Sequence, residues 1–303
     1  MLRRTLLSAG LIGLSRKAHA AVPAAFVDDS IPIGHRLRDR QPFAAPVRME
    51  RVPLVIVGGG IAGLSAAWRF RNRGFHDFVL LEMERRPGGN SRSGESEVSR
   101  FPWGAHYLPI PSERSTLVRE LMTELGVLNG GNWDERYLCH SPRDRLFQHG
   151  RWQEGLEPEP ASGRERDQLR RFYSLMAEFQ HSGEFAIPVE TGHRRRRDLD
   201  RLSMSDWLRR EGIASESVHW IVDYACRDDY GSRAEQTSAW AGIHYFAARG
   251  QRDEKGPLTW PEGNGWIVRR LVDRVEKHLR TGAFVHRIER AGTRWRILSN
   301  GVE

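Results

Sequence analysis

The sequence predicts an α/β fold: a parallel strand–turn–helix–strand unit near residue 50, followed by a mostly helical stretch. Three observations carry this. A β-branched run at residues 52–57 halts at a glycine-rich turn, a second apolar run at residues 78–81 follows Gly74, and apolar residues recur at helical spacing from Ser115 to Ala248. At 303 residues there is material for about two domains. Hydrophobic residues are 39% and charged residues 28% of the chain, which excludes disorder throughout and a polytopic membrane protein. The formal charge is +8, yet Arg3, Arg4, Arg16 and Lys17 carry half of it within the first twenty residues. The rest is nearly balanced. The four arginines at 194–197, between Gly192 and Asp198, read as a solvated loop. No aromatic interleaving or zinc spacing accompanies them, so no nucleic-acid partner is expected. Two cysteines, Cys139 and Cys226, allow one bridge or none, and no metal site is predicted.

The elements follow in order. Residues 1–20 begin with Arg3 and Arg4, continue in a mildly apolar run, and end at Ala18-His19-Ala20, a small-x-small cleavage pattern. The run is too short to span a bilayer. Arg3-Arg4-Thr5-Leu6-Leu7, with a core diluted by Ser8, Gly10 and Gly13, resembles a twin-arginine export signal, and so implies cleavage after Ala20, the export machinery as a partner and a periplasmic or otherwise exported protein. Residues 21–50 hold Pro23, Pro32, Pro42 and Pro46 without a clear period, and read as an extended arm or linker.

Val52-Pro53-Leu54-Val55-Ile56-Val57 runs into Gly58-Gly59-Gly60-Ile61-Ala62-Gly63, and Leu64 to Phe70 continue as a helix. This strand–turn–helix context makes Gly58, Gly60 and Gly63 a dinucleotide fingerprint. Gly58 turns the chain, Gly60 admits a pyrophosphate to the backbone, and Gly63 lets helix and strand pack closely. The phosphates belong on the helix N-terminus at Ile61 and Ala62. The second strand ends at Glu82, nineteen residues past Gly63, where a carboxylate accepts from adenosine ribose hydroxyls.

Glu82-Met83-Glu84-Arg85-Arg86-Pro87-Gly88-Gly89, then Asn90-Ser91-Arg92-Ser93, resembles the FAD-dependent amine oxidase superfamily. That group includes monoamine and polyamine oxidases, protoporphyrinogen oxidase and phytoene-desaturase-like enzymes. The family segment reads acid, five residues, Gly-Gly-Arg, then Ser or Thr. Asn90 stands at the place of that arginine, with Arg92 as the substitute phosphate contact. Trp103-Gly104-Ala105-His106-Tyr107 resembles the family's Gly-Ala stretch beside the flavin ring, with His106 as a packed or flavin-edge residue rather than a base. Pro261-Glu262-Gly263-Asn264-Gly265-Trp266 resembles, more loosely, the turn that brings the chain back to the FAD domain.

The resemblance implies a Rossmann-like FAD-binding domain with an inserted, largely helical substrate domain. The expected parts are 51–115 as the first stretch of the FAD domain, 116–260 as the insert, and 261–303 as an incomplete return. Within the insert, helices are expected at 115–125, 164–179, 205–210, 216–226 and 237–248, and a hairpin at 145–152. Trp220, Tyr224, Trp240, Tyr245 and Phe246 lie on these helices as core or as the lining of an apolar pocket. The chemistry implied is removal of hydride equivalents by FAD from an amine or other activated C–H of a small-molecule substrate. No acid–base residue is assigned. The alternatives are an NAD-dependent dehydrogenase and a flavin-binding chain without turnover. Two strands around Gly292, then Asn300-Gly301 near the last residue, signal a hairpin without its second strand, so a shortened relative of the family is expected.

Overall fold

A computed structural model describes residues 30–140, 144–189, 198–249 and 256–300. The export signal at 1–20 and the arginine run at 194–197 lie outside the described residues. The chain forms two compact units, Met1–Gly89 with Leu271–Glu303, and Asn90–Arg270.

The first unit begins with a helix where the sequence predicts an extended arm or linker: α1 (Ile31–Arg38), with Pro32 in its first turn and His35, Arg36 and Arg38 in its last. Proline is tolerated at that start, and cations suit the C-terminal end of the helix dipole. Strand β1 (Leu54–Val57), helix α2 (Ile61–Asn72) and strand β2 (Phe78–Leu81) follow as the sequence predicts. β1 and β2 are parallel, with Leu54 opposite Phe78 and Val57 opposite Leu81. Helix α2 buries Leu64, Ala67 and Trp68, the three- and four-residue spacing of a single face.

The second unit opens with three short strands, β3 (Ser93–Glu95), β4 (Arg100–Pro102) and β5 (Tyr107–Leu108). Then come helix α3 (Thr116–Glu124), the small hairpin β6 (Leu128–Asn129) with β7 (Asn132–Trp133), and the hairpin β8 (Arg145–Gln148) with β9 (Arg151–Glu154). At the last turn His149 and Gly150 have φ of 52° and 76°, the left-handed pair that a two-residue hairpin needs. Helices α4 (Gly163–Ser182), α5 (Met204–Arg210), α6 (Glu216–Tyr230) and α7 (Ala239–Ala247) form the core of this unit. Each begins after a serine, at 162, 203, 215 and 238, whose hydroxyl accepts a first-turn N–H and so satisfies an otherwise orphaned donor. Phe172, Met204, Leu208, Val218, Val222 and Ile243 are fully buried among them. Of the singled-out aromatics, Phe246 and Trp240 pack on this core, and Trp220 is 42% exposed, stacked on Tyr224 at 5.7 Å. No bridge forms: neither Cys139 nor Cys226 is part of a disulfide. Burial pushes the Cys226 thiol up to about 11, so it is protonated at neutral pH and a poor nucleophile.

Strand β10 (Leu258–Thr259) pairs antiparallel with β5. Helix α8 (Gly265–Val275) contains the division between the units, and the chain returns to the first unit in β11 (Leu279–Arg280), which joins the parallel sheet beside β2. The sheet order is β1-β2-β11. β2, flanked on both sides, is the most buried strand, as a central parallel strand must be. Strands β12 (Val285–Ala291) and β13 (Arg294–Ser299) pair antiparallel. After β13, Asn300 ties back to the segment before β12: its Oδ1 accepts from Phe284 N–H at 2.8 Å and its Nδ2 donates to Gly282 O at 2.9 Å. The hairpin expected at Asn300-Gly301 runs beyond the described residues.

Candidate dinucleotide site

In the first unit the glycine turn is held between β1 and β2 by its own backbone. Gly58, at φ +99°, donates to Leu81 O at 2.7 Å, and Gly88 N–H donates to Gly59 O at 2.8 Å. A Cβ on Gly63 would lie 1.9 Å from Gly58 O, so helix and turn approach at a distance that only glycine permits. A Cβ on Gly60 would meet nothing nearer than Gly89 Cα at 4.0 Å. Gly60 and Gly88 form an isolated parallel bridge, and Gly89, at φ +53°, leads the chain out of the unit.

Helix α2 starts at Gly60 with no side-chain cap and no acid in its first turn, and Ile61 and Ala62 are exposed there. Its first N–H groups are orphan donors at the positive end of the helix dipole, the environment that favours a phosphate. Glu82 lies at the end of β2, 8% exposed. Its Oε2 accepts Gly59 N–H at 2.6 Å and its Oε1 accepts Glu84 N–H at 2.7 Å. A carboxylate oxygen has two lone pairs, so Glu82 braces the turn and keeps acceptor capacity for a hydroxyl. Sequence reasoning named Glu82 but missed this bracing and the partner Gly59. It also missed Glu84, whose Oε1 accepts from Ser30 Oγ at 2.6 Å. The middle glycine of the run, Gly59, was the available signal, because a Cβ there would stand 2.9 Å from Glu82 Cβ.

The remaining candidates lie in the second unit, where the structure joins three segments singled out separately in the sequence. Ala105 N–H donates to Asn90 O at 2.8 Å, Trp103 N–H to Arg92 O at 3.1 Å, and Asn264 N–H to Ala105 O at 3.0 Å. Gly104 passes so close to Asn90 that a Cβ would be 2.7 Å from its carbonyl. Gly263, at φ +61°, would place a Cβ 2.9 Å from Ala105 O. Thr259 Oγ1 donates to His106 O at 2.9 Å and Asn264 Nδ2 to Tyr107 O at 3.0 Å. His106 is exposed; its Nδ1 faces the backbone oxygen of Gly104 at 3.1 Å and therefore donates to it. Among the described residues, Trp260 Nε1 and Asn264 Oδ1 are buried with no hydrogen-bond partner, a donor and an acceptor left over where these segments meet. Buried polar atoms are normally satisfied.

The parallel strands, the glycine turn, the uncapped helix and the buried acid define a Rossmann-like dinucleotide-binding domain. The family of NAD(P)-binding Rossmann-like domains matches residues 56–125. Over 205 residues the chain is 23% identical to a probable flavin-containing monoamine oxidase A of Dictyostelium discoideum, covering 65% of this chain and 41% of that protein. Over 85 residues it is 41% identical to a peroxisomal N(1)-acetyl-spermine/spermidine oxidase of Bos taurus, covering 28% and 16%. A solved putrescine oxidase with putrescine bound superposes with a TM-score of 0.64 at 19% identity, over 84% of this chain and 56% of that one. The fold is thus that of the flavin-dependent amine oxidases. The chain spans less than half the length of the two sequence relatives.

Proposed function

We propose that this chain is an FAD-dependent oxidoreductase acting on an amine. One observation carries the cofactor assignment: the buried Glu82 carboxylate is fastened beneath a glycine turn that opens into an uncapped helix. The backbone from Gly58 to Gly60 with Ile61 and Ala62 would hold the pyrophosphate. Glu82 would take the ribose hydroxyls, and Gly88 and Gly89 keep the neighbouring backbone free of side chains. Asn90, Arg92, Gly104, Ala105 and His106 are proposed for the flavin end. When bound, FAD supplies the acceptor for hydride equivalents from a C–H beside nitrogen. The protein contributes binding, orientation and a fixed hydrogen-bond environment. Three amine oxidases among the similar proteins support an amine substrate. The match to an NAD(P)-binding family keeps a nicotinamide dehydrogenase as the second reading.

Mixing the purified chain anaerobically with putrescine, N-acetylspermidine and a simple alkylamine tests both readings. At least one amine is expected to bleach a yellow protein. A colourless protein that reduces added nicotinamide with the same amines would favour the second reading, and a yellow protein that no amine bleaches would contradict the substrate class.

Export through the twin-arginine route is also proposed, on the arginine pair and the cleavage pattern of residues 1–20. Replacing Arg3 and Arg4 together with lysine is expected to leave unprocessed precursor in the cytoplasm, read by fractionation. Normal processing of that double variant would point to the general secretory route.

A further inference from the structure

The end of α2 and the turn after it read Arg69-Phe70-Arg71-Asn72-Arg73-Gly74-Phe75-His76, and the proposed function uses none of these residues. The rings gather on one surface of the first unit. Phe70 and Phe75 lie 5.7 Å apart and both face Phe78, at 6.2 and 6.4 Å. The His278 ring stacks on Phe78 at 4.2 Å, with His76 beyond it at 6.3 Å. Phe78 is 6% exposed, whereas Phe70 and Phe75 are each 37% exposed. The cluster is therefore rooted in the sheet and presents two rings to solvent. Arg71 and Arg73 are exposed beside them, and Lys277 is exposed next to His278. Across residues 69–77 and 273–278, Arg69, Arg71, Arg73, Arg274 and Lys277 outnumber the acids Asp77, Asp273 and Glu276.

We propose that this aromatic–basic surface docks the protein on an anionic lipid bilayer. Half-exposed phenyl rings suit the boundary between headgroups and acyl chains, and flanking arginines suit the phosphates at the same depth. Aromatic burial and a basic patch are each weak alone and together give reversible binding. The charge complementarity selects acidic lipid over neutral lipid. Such docking is peripheral, and among the described residues no helix is long and apolar enough to cross a membrane.

Co-sedimentation of the whole chain with phosphatidylcholine vesicles, with and without one quarter phosphatidylglycerol, tests this directly. Binding is expected only with the acidic lipid, and high salt should release it. Arg71→Gln with Arg73→Gln touches only exposed side chains and should weaken binding about thirtyfold, from roughly fivefold per arginine. Phe75→Ser should also weaken it while the circular dichroism spectrum stays unchanged. Absence of vesicle binding, binding unaffected by the double arginine variant, or equal binding to neutral vesicles would overturn the proposal. Equally strong binding to duplex DNA would reduce the surface to a general polyanion site and overturn the bilayer assignment.

Discussion

Gly63→Ala is expected to disrupt the first unit rather than merely weaken a ligand. The added Cβ would stand 1.9 Å from Gly58 O, 3.1 Å from Gly58 C and 3.3 Å from Leu80 Cδ1. The nearest obstacle is backbone. It cannot swing aside as a flexible side chain would, because Gly58 N–H is bonded to Leu81 O at 2.7 Å. Relief requires α2 to withdraw from the sheet, which uncovers Leu64, Ala67 and Trp68. Overpacking a core costs about 1–3 kcal/mol and occasionally more, and a backbone contact this short belongs at the upper end. Against a total stability of roughly 5–15 kcal/mol, that is a large share. A urea titration followed by circular dichroism should show a much lower midpoint than wild type. An unchanged midpoint would contradict the packing described here.

Gly60→Val is expected to separate binding from folding. Three residues earlier in the same motif, a Cβ meets only Gly89 Cα at 4.0 Å, and the backbone is extended at φ −71° and ψ −178°. Valine is at home in that conformation. The fold should change by no more than about 0.5 kcal/mol, as for a surface substitution. The valine methyls, however, occupy the approach to the uncapped first turn of α2. The variant should therefore purify folded and without flavin. Stoichiometric flavin in a folded Gly60→Val protein would remove the pyrophosphate from this turn.

The contrast between these glycines shows what was legible in the sequence. β1, α2 and β2 could be read because β-branched residues, three glycines and a helical run follow one another at fixed spacing. The capped helices α4 to α7 and the hairpin β8–β9 could be read because local chemistry sets their limits. Helix α1 could not: it has eight residues with Pro32 and Gly34 inside, buries none of them, and so lacks an apolar period. Strand β11 is two residues long and acquires its strand character only by pairing with β2, about 200 residues earlier. Likewise, the threading of Gly263 against Ala105 is a long-range approach with no local signature. At Glu82 the sequence reading covered only half of its arrangement. Its spacing pointed outward to a ribose, while its two short bonds to Gly59 and Glu84 depend on how the turn folds over β2.

The turn from Gly58 to Gly63, braced by Glu82, is proposed to hold FAD. Denaturing the protein purified from its native host and identifying the released small molecule by mass spectrometry tests it most directly. FAD at close to one per chain is the result expected. A nicotinamide dinucleotide, or no dinucleotide at all, would contradict the claim.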